Sequence, residues 1–216
     1  MKSEVVRLVL ASTSPARLAL LRAAGIEPDT VPPGVDEEAV VAAAETARGA
    51  TLSPDELVQL LARSKAEAVA AALGTTDALV LGGDSAFAFG GTTYGKPHEP
   101  AIAMARWRAQ RGGTGVLHSG HHLIDARTGE GFGETARAAV RFAPDLDEDE
   151  ITAYVASGEP LSVAGAFTID GLAGPFIEHV DGDPSTVVGL SLSTLRRLVR
   201  RTGTSWPSLW NRDIDG

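Results

Sequence analysis

Residues 8–25, LVLASTSPARLALLRAAG, pass from one periodicity to another through three hydroxyls. The continuous apolar run from Leu8 to Ala11 suits a buried strand, while the spacing from Pro15 onward is helical and closes at Gly25. Ser14 is a natural N-cap and Pro15 a natural first helical residue, so the next backbone N–H groups lie unpaired at the positive end of a helix dipole. That is an anion site, and Ser12, Ser14 and Arg17 would strengthen it into a phosphate cradle. The same stretch also fits an ordinary capped helix with a solvated Arg17.

Strand-like and helix-like stretches go on alternating along the chain, which predicts α/β or mixed α+β architecture. After an irregular, proline-bearing stretch containing VPPGVDEEAV, a helix is expected from Ser53, where Ser53 and Glu56 make a capping box and Pro54 opens the helix, to Gly74. DALVLGGD reads as a buried strand ending on Asp84, AFAFGGTTYG as a hairpin turning on Gly90-Gly91, and 99–111 as a helix. Two long strands follow around a Thr128-Gly129 turn. In the second of them Ala136, Ala138, Val140 and Phe142 alternate with Arg137 and Arg141, so one face is buried and one is wet. A helix capped by Asp147 and Glu150, strands at AGAFTIDG and PFIEHV, and a helix over 191–201 complete the pattern, with a loosely ordered tail expected over 203–216. At 216 residues the chain can form one large domain or two small lobes sharing a cleft.

Composition narrows the function. A formal charge of -9 argues against a nucleic-acid partner, which wants a basic face, so any polyanion site must be small and local. The absence of cysteine excludes disulfides and thiolate metal sites. With no signal-peptide core near the start and no run of about 18 apolar residues, neither membrane nor export is expected, and the cytoplasm is the default. Sixteen arginines stand against three lysines, Lys2, Lys65 and Lys96. The two internal lysines therefore invite a role for a compact ammonium that a guanidinium fork cannot fill, although chance explains them equally well.

Asp84 in GGDS stands where open α/β sheets place ligand-facing carboxylates, and Lys96 in YGKP follows twelve residues later, after the hairpin. A carboxylate pair, a lysine and an anion-binding helix end together suit metal-assisted phosphoryl chemistry. VDEE at 35–38 also fits a plain solvated charge run. HSGHH is a poor metal site: on a strand His118 and His121 face opposite sides, and His118 and His122 lie about 13 Å apart.

In order along residues 8–200, the motifs LASTSPAR, VDE, SKAEAV, GGDS, GKP, SGEPLSVAGAFTIDG and GDPSTVVGLSLSTL resemble those of the Maf-type nucleoside triphosphate pyrophosphatases, also described as septum-formation inhibitors. The resemblance implies an elongated mixed sheet with flanking helices, in two lobes around a deep cleft, formed by one domain over 1–216. It implies hydrolysis of a nucleoside triphosphate to the monophosphate and pyrophosphate, with Mg²⁺ or Mn²⁺ required, and allows a homodimer. Carried over position by position, Glu37 and Asp84 are the acidic, metal-binding pair, with Asp84 in the proton-acceptor place. Lys65 and Lys96 neutralise phosphate charge, Ser12, Ser14 and Arg17 hold the phosphate tail, and Ser85 and Asp170 fall at substrate-binding positions. Ala16, Ser85, Val163 and Asp170 depart from the family pattern, the last standing where glutamine is usual. An ionised Asp170 can only accept hydrogen bonds, which favours a base offering donors, such as guanine, 7-methylguanine or cytosine. Two rivals share the phosphate cradle: a nucleotide-binding regulator of cell division without turnover, and a sugar-nucleotide or phosphosugar binder, which leaves the carboxylate pair without a use.

Overall fold

Strand β1 (Arg7–Ala11) is buried on both faces, as its unbroken apolar run requires. Leu8 and Leu10 turn into one core with Leu21, Ile26, Leu79, Leu81, Leu195 and Leu198, while Val9 and Ala11 turn into another with Ala66, Val69, Ala78 and Val80. It pairs in parallel with the short β2 (Asp29–Thr30) on one side and with β3 (Ala78–Phe89) on the other, Val9 lying opposite both Asp29 and Val80. The structure is a computed structural model that describes residues 5–212. Lys2 and positions 213–216 of the expected tail lie outside the described residues.

The sheet has seven strands in the order β2-β1-β3-β5-β6-β7, with β4 (Thr92–Tyr94) antiparallel to β3. The long neighbours β5 (Thr114–Asp125) and β6 (Glu130–Phe142) flank the predicted turn, where Gly129 takes φ 77°, and β7 (Ile177–Gly182) runs antiparallel to β6. Among the described residues seven α-helices flank the sheet: α1 (Pro15–Ala23), α2 (Glu37–Arg48), α3 (Pro54–Leu73), α4 (Pro100–Gln110), α5 (Glu148–Ala156), α6 (Pro184–Val188) and α7 (Leu192–Arg201). The α/β expectation therefore holds. Among the described residues no helix is long and apolar enough to cross a membrane.

Two compact units divide the chain. The first comprises residues up to Asp84, Ser119–Ala136, and those from Gly189 on. Here α3 lies directly on the strands, because a Cβ at Gly82 would run into the Ala62 carbonyl and one at Gly120 into the Val58 carbonyl. The capping box predicted at its start is present, with Ser53 N donating to Glu56 at 2.9 Å. The second unit, Ser85–His118 with Arg137–Val188, is organised by aromatic rings. Phe87, Phe142 and Phe167 meet edge-to-face, as do Trp107 and Tyr154 at 5.1 Å, and the Trp107 indole N–H donates to Ala166 O at 2.7 Å. Asp147 and Glu150 form the second predicted capping box, at the start of α5.

Four expectations differ from the structure. β3 does not end on Asp84 but continues to Phe89, since the Gly82-Gly83 pair serves close packing rather than a turn. VDEE is not loop: Asp36 accepts from Ala39 N at 3.0 Å and caps α2, which ends at Gly49 in the left-handed region. No residue of α2 is fully buried, and only Val40, Val41, Ala44 and Glu45 are half-buried along one side. AGAFTIDG is not a strand: Ala164–Ala166 make a 3₁₀ turn and the rest is irregular, because Gly165 and Ala166 take φ 74° and 67°, which no extended run permits. Finally, where a loose tail was expected, Trp206–Leu209 make a 3₁₀ turn that buries Leu209, and Val6 N donates to Ser208 O at 2.7 Å.

Candidate active site

Lys65 owes its place to the helix that carries it. It shares the buried face of α3 with Val58, Leu61, Ala62, Ala66 and Val69, so its stem is packed and only the ammonium reaches out to Asp84, midway along β3. There Nζ lies 2.7 Å from Asp84 Oδ1 and 2.8 Å from Glu37 Oε1. One ammonium thus bridges two carboxylates in very different settings, since the Asp84 side chain is 14% exposed and that of Glu37 49%. Glu37 is the first residue of α2, delivered by the Asp36 cap. Burial pushes the Asp84 carboxyl above the ordinary carboxylate range; Lys65 and Arg17 oppose the rise, and Glu37 adds to it.

The seam between β1 and α1 supplies the cationic counterpart. Ser14 caps α1, accepting from Arg17 N at 3.4 Å, and Ser14 N in turn donates to Ser12 Oγ at 3.1 Å. Arg17 is not solvated: it is buried, Nε donating to Gly189 O at 2.8 Å and Nη1 to Ser12 Oγ at 3.2 Å. Burial works against its charge, while the Coulombic pull of Asp84 and Glu37 favours it, and a guanidinium remains cationic under such conditions. Gly83 gives it room, for a Cβ there would come within 3.1 Å of Arg17 Nε. Ser12, Ser14, Arg17, Glu37, Lys65 and Asp84 therefore all belong to the first unit, as two hydrogen-bonded groups linked by charge.

The other three candidates lie in the second unit. Ser85 follows Asp84 on β3 and, by the alternation of a strand, projects from the opposite face. Lys96 is exposed after β4, and Asp170 is exposed in the turn that replaces the expected strand. Among the described residues neither has a hydrogen bond or an ion pair. What holds the turn is Glu159, which accepts from Thr168 Oγ1 at 2.5 Å and from Leu172 N at 3.0 Å. Nothing local in SGEP marks Glu159 for this role, since its partners lie 9 and 13 residues further along the chain. No group of three or more His, Asp or Glu among the described residues is placed to hold a metal ion, HSGHH included.

A strand–hydroxyl–helix seam with a buried arginine, coupled by charge to a lysine-bridged carboxylate pair, is the kind of donor set that suits phosphate groups in an α/β protein. A model of the family described as "Maf-like protein" matches residues 7–202, and the chain belongs to this family. It is 68% identical over 212 residues, 96% of this chain and 98% of the relative, to a protein of Leifsonia xyli subsp. xyli named nucleoside triphosphate pyrophosphatase. Proteins of the same name from Streptomyces coelicolor and Thermosynechococcus vestitus are 50% and 46% identical, over 94% and 96% of this chain and 94% and 100% of theirs.

Proposed function

We propose that this chain is a nucleoside triphosphate pyrophosphatase, which adds water across the α–β phosphoanhydride and releases a nucleoside monophosphate and pyrophosphate. The observation that carries the proposal is the Lys65 ammonium held between Asp84 and Glu37, in the same unit as the Ser12–Ser14–Arg17 anion site. The relatives named for this activity support it.

Phosphoryl transfer asks for positioning and for stabilisation of negative charge more than for covalent chemistry. The first-turn N–H groups of α1, the two serine hydroxyls and Arg17 suit the phosphate chain. Asp84 would take the proton of the attacking water, for which a buried carboxyl with a raised pKa is the better base. As the water oxygen bonds to the α-phosphorus, the bond to the bridging oxygen breaks and the electron pair leaves with pyrophosphate. Lys65 keeps the two carboxylates from repelling each other and from repelling the substrate.

A divalent cation, Mg²⁺ or Mn²⁺, fits this donor set. Asp84 and Glu37 each spend one oxygen on Lys65, and such ions are commonly held by one or two carboxylates together with substrate phosphates. When bound it would neutralise charge on the phosphate chain. In the second unit, Lys96 would add charge neutralisation, and Ser85 and Asp170 would contact the nucleoside. We further propose a cytoplasmic enzyme acting as a homodimer on surplus or modified nucleotides, on the strength of the family resemblance. A screen of nucleoside triphosphates with Mg²⁺ or Mn²⁺, reading pyrophosphate and orthophosphate separately, tests the activity. Pyrophosphate with monophosphate is expected. Orthophosphate with accumulating diphosphate would overturn the proposed bond, and binding without turnover would favour a regulator.

A further inference from the structure

His121 has no exposed surface, yet the chemistry above makes no use of it. Both ring nitrogens are occupied: Nε2 lies 2.8 Å from Ser191 N, and Nδ1 lies 3.3 Å from Glu134 O. A backbone N–H can only donate and a carbonyl can only accept. Nε2 is therefore the acceptor and Nδ1 carries the hydrogen, which fixes a neutral ring in one tautomer. Burial first, and then the positive charge of Arg17, hold its pKa down to about 4, so the ring keeps that form at neutral pH.

The group His121 accepts from stands at the start of α7. Ser191 is the N-cap of that helix, its Oγ accepting from Thr194 N at 3.2 Å, and the residue is fully buried. Two positions earlier, Gly189 O accepts Arg17 Nε at 2.8 Å. The three-residue turn 189–191 is thus held by the imidazole at one end and holds the guanidinium at the other. An apolar residue at 121 would leave the Ser191 N–H without this acceptor in a buried place, a cost that the turn would relieve by moving. Movement of the turn carries the Gly189 carbonyl with it, and so the plane in which Arg17 presents its donors.

We infer that His121 is a positioning residue for Arg17: as a neutral acceptor it pins the 189–191 turn, whose Gly189 carbonyl orients the guanidinium toward the phosphate chain. The inference rests on the proposed role of Arg17 as a phosphate ligand.

Calorimetric titration of inorganic tripolyphosphate into the full chain tests it, alongside steady-state kinetics. His121→Phe should weaken tripolyphosphate about tenfold and raise KM more than it lowers kcat. His121→Gln, whose Oε1 falls near the place of Nε2, should restore most of the affinity; His121→Asn, too short to reach Ser191 N, should not. Combined with Arg17→Ala, His121→Phe should add nothing further, because both act through one group. Additive losses in the double variant, or wild-type affinity in His121→Phe, overturn the inference. Should the phenylalanine variant not fold, equal affinities for the Asn and Gln variants overturn it as well. Wild-type affinity in Arg17→Ala would instead remove the phosphate role of Arg17, and the inference with it.

Discussion

The two units treat their candidate charges in opposite ways. In the first, Lys65 is locked between Asp84 and Glu37, and Arg17 is buried with acceptors on Gly189 and Ser12. In the second, Lys96 and Asp170 stand exposed, and only the backbone around Asp170 is tied, through Glu159. Preorganised charge is what a reaction common to every nucleoside triphosphate needs, since its dipoles must not have to reorganise as charge develops. A loosely held carboxylate on a braced turn suits the part of the substrate that varies. Substitutions in the first unit should therefore cost turnover or stability, and those in the second should alter preference or affinity with little change in stability.

The largest effect is expected at Asp84. Asp84→Asn keeps the shape but cannot take a proton and is a weaker ligand for a cation, so kcat should fall by about 100-fold or more with nucleotide affinity largely kept. Single-turnover rates beside equilibrium binding would measure this, and near-normal turnover would remove Asp84 from the chemistry.

Next comes the contrast between the two internal lysines. Lys65→Met leaves the buried Asp84 without its ion pair and should destabilise the fold by roughly 3 kcal/mol, a scale set by breaking buried pairs from one side. Lys96→Met, at an exposed site without a described partner, should stay within about 0.5 kcal/mol of wild type while weakening triphosphate binding. Urea unfolding of the two variants side by side measures the difference. Equal stabilities would mean that the first unit is no more locked than the second.

A smaller, pH-dependent effect belongs to His121. Its folded pKa near 4 lies below the ordinary 6.5, so the unfolded chain binds more protons between those values. The stabilising share is fully present above about pH 6.5 and is lost as the pH falls toward 4, at most about 3 kcal/mol. Asp84 runs the other way: its raised pKa means that its share declines as the pH rises through the folded value. The stability of wild type relative to His121→Gln should therefore fall by up to about 3 kcal/mol as the pH drops from 6.5 to 4, since only the imidazole titrates there. Parallel curves would show that the ring is not held neutral.

How much of this was legible in the sequence depended on whether the signal was local. The hydroxyl seam at Ser12–Ser14, the capping boxes, the glycine turns and the two lysines kept in an arginine-rich chain are short-range patterns, and among the residues they single out the structure pairs Asp84 with Lys65 and Ser12 with Arg17. Helix α2 is harder to read because its first turn, Asp36 to Glu38, looks equally like a solvated charge run and no residue of the helix is fully buried. Gly82-Gly83 looked like a strand end because close packing against α3 and Arg17 cannot be told from a turn in one dimension. His121 could be judged only by its spacing from neighbouring histidines, whereas the partner that gives it meaning, Ser191, lies 70 residues away.

The smallest effect is expected at Asp170, and it bears most directly on the second unit. An ionised carboxylate only accepts hydrogen bonds, while a glutamine amide both donates and accepts and so matches the acceptor–donor–acceptor edge of uracil or thymine. Asp170→Gln should move the ratio of specificity constants for UTP against GTP by about tenfold toward UTP, corresponding to one polar match of roughly 1–3 kcal/mol. Because Asp170 is exposed and without a described partner, the substitution should leave stability unchanged. Glu159→Gln supplies the control: its carboxylate accepts from Thr168 and Leu172, so its loss should loosen the turn and blunt selectivity in the wild-type and Asp170→Gln backgrounds alike. An unchanged UTP-to-GTP ratio in Asp170→Gln would show that the exposed carboxylate does not read the base, and selectivity would then have to be sought in residues other than Asp170.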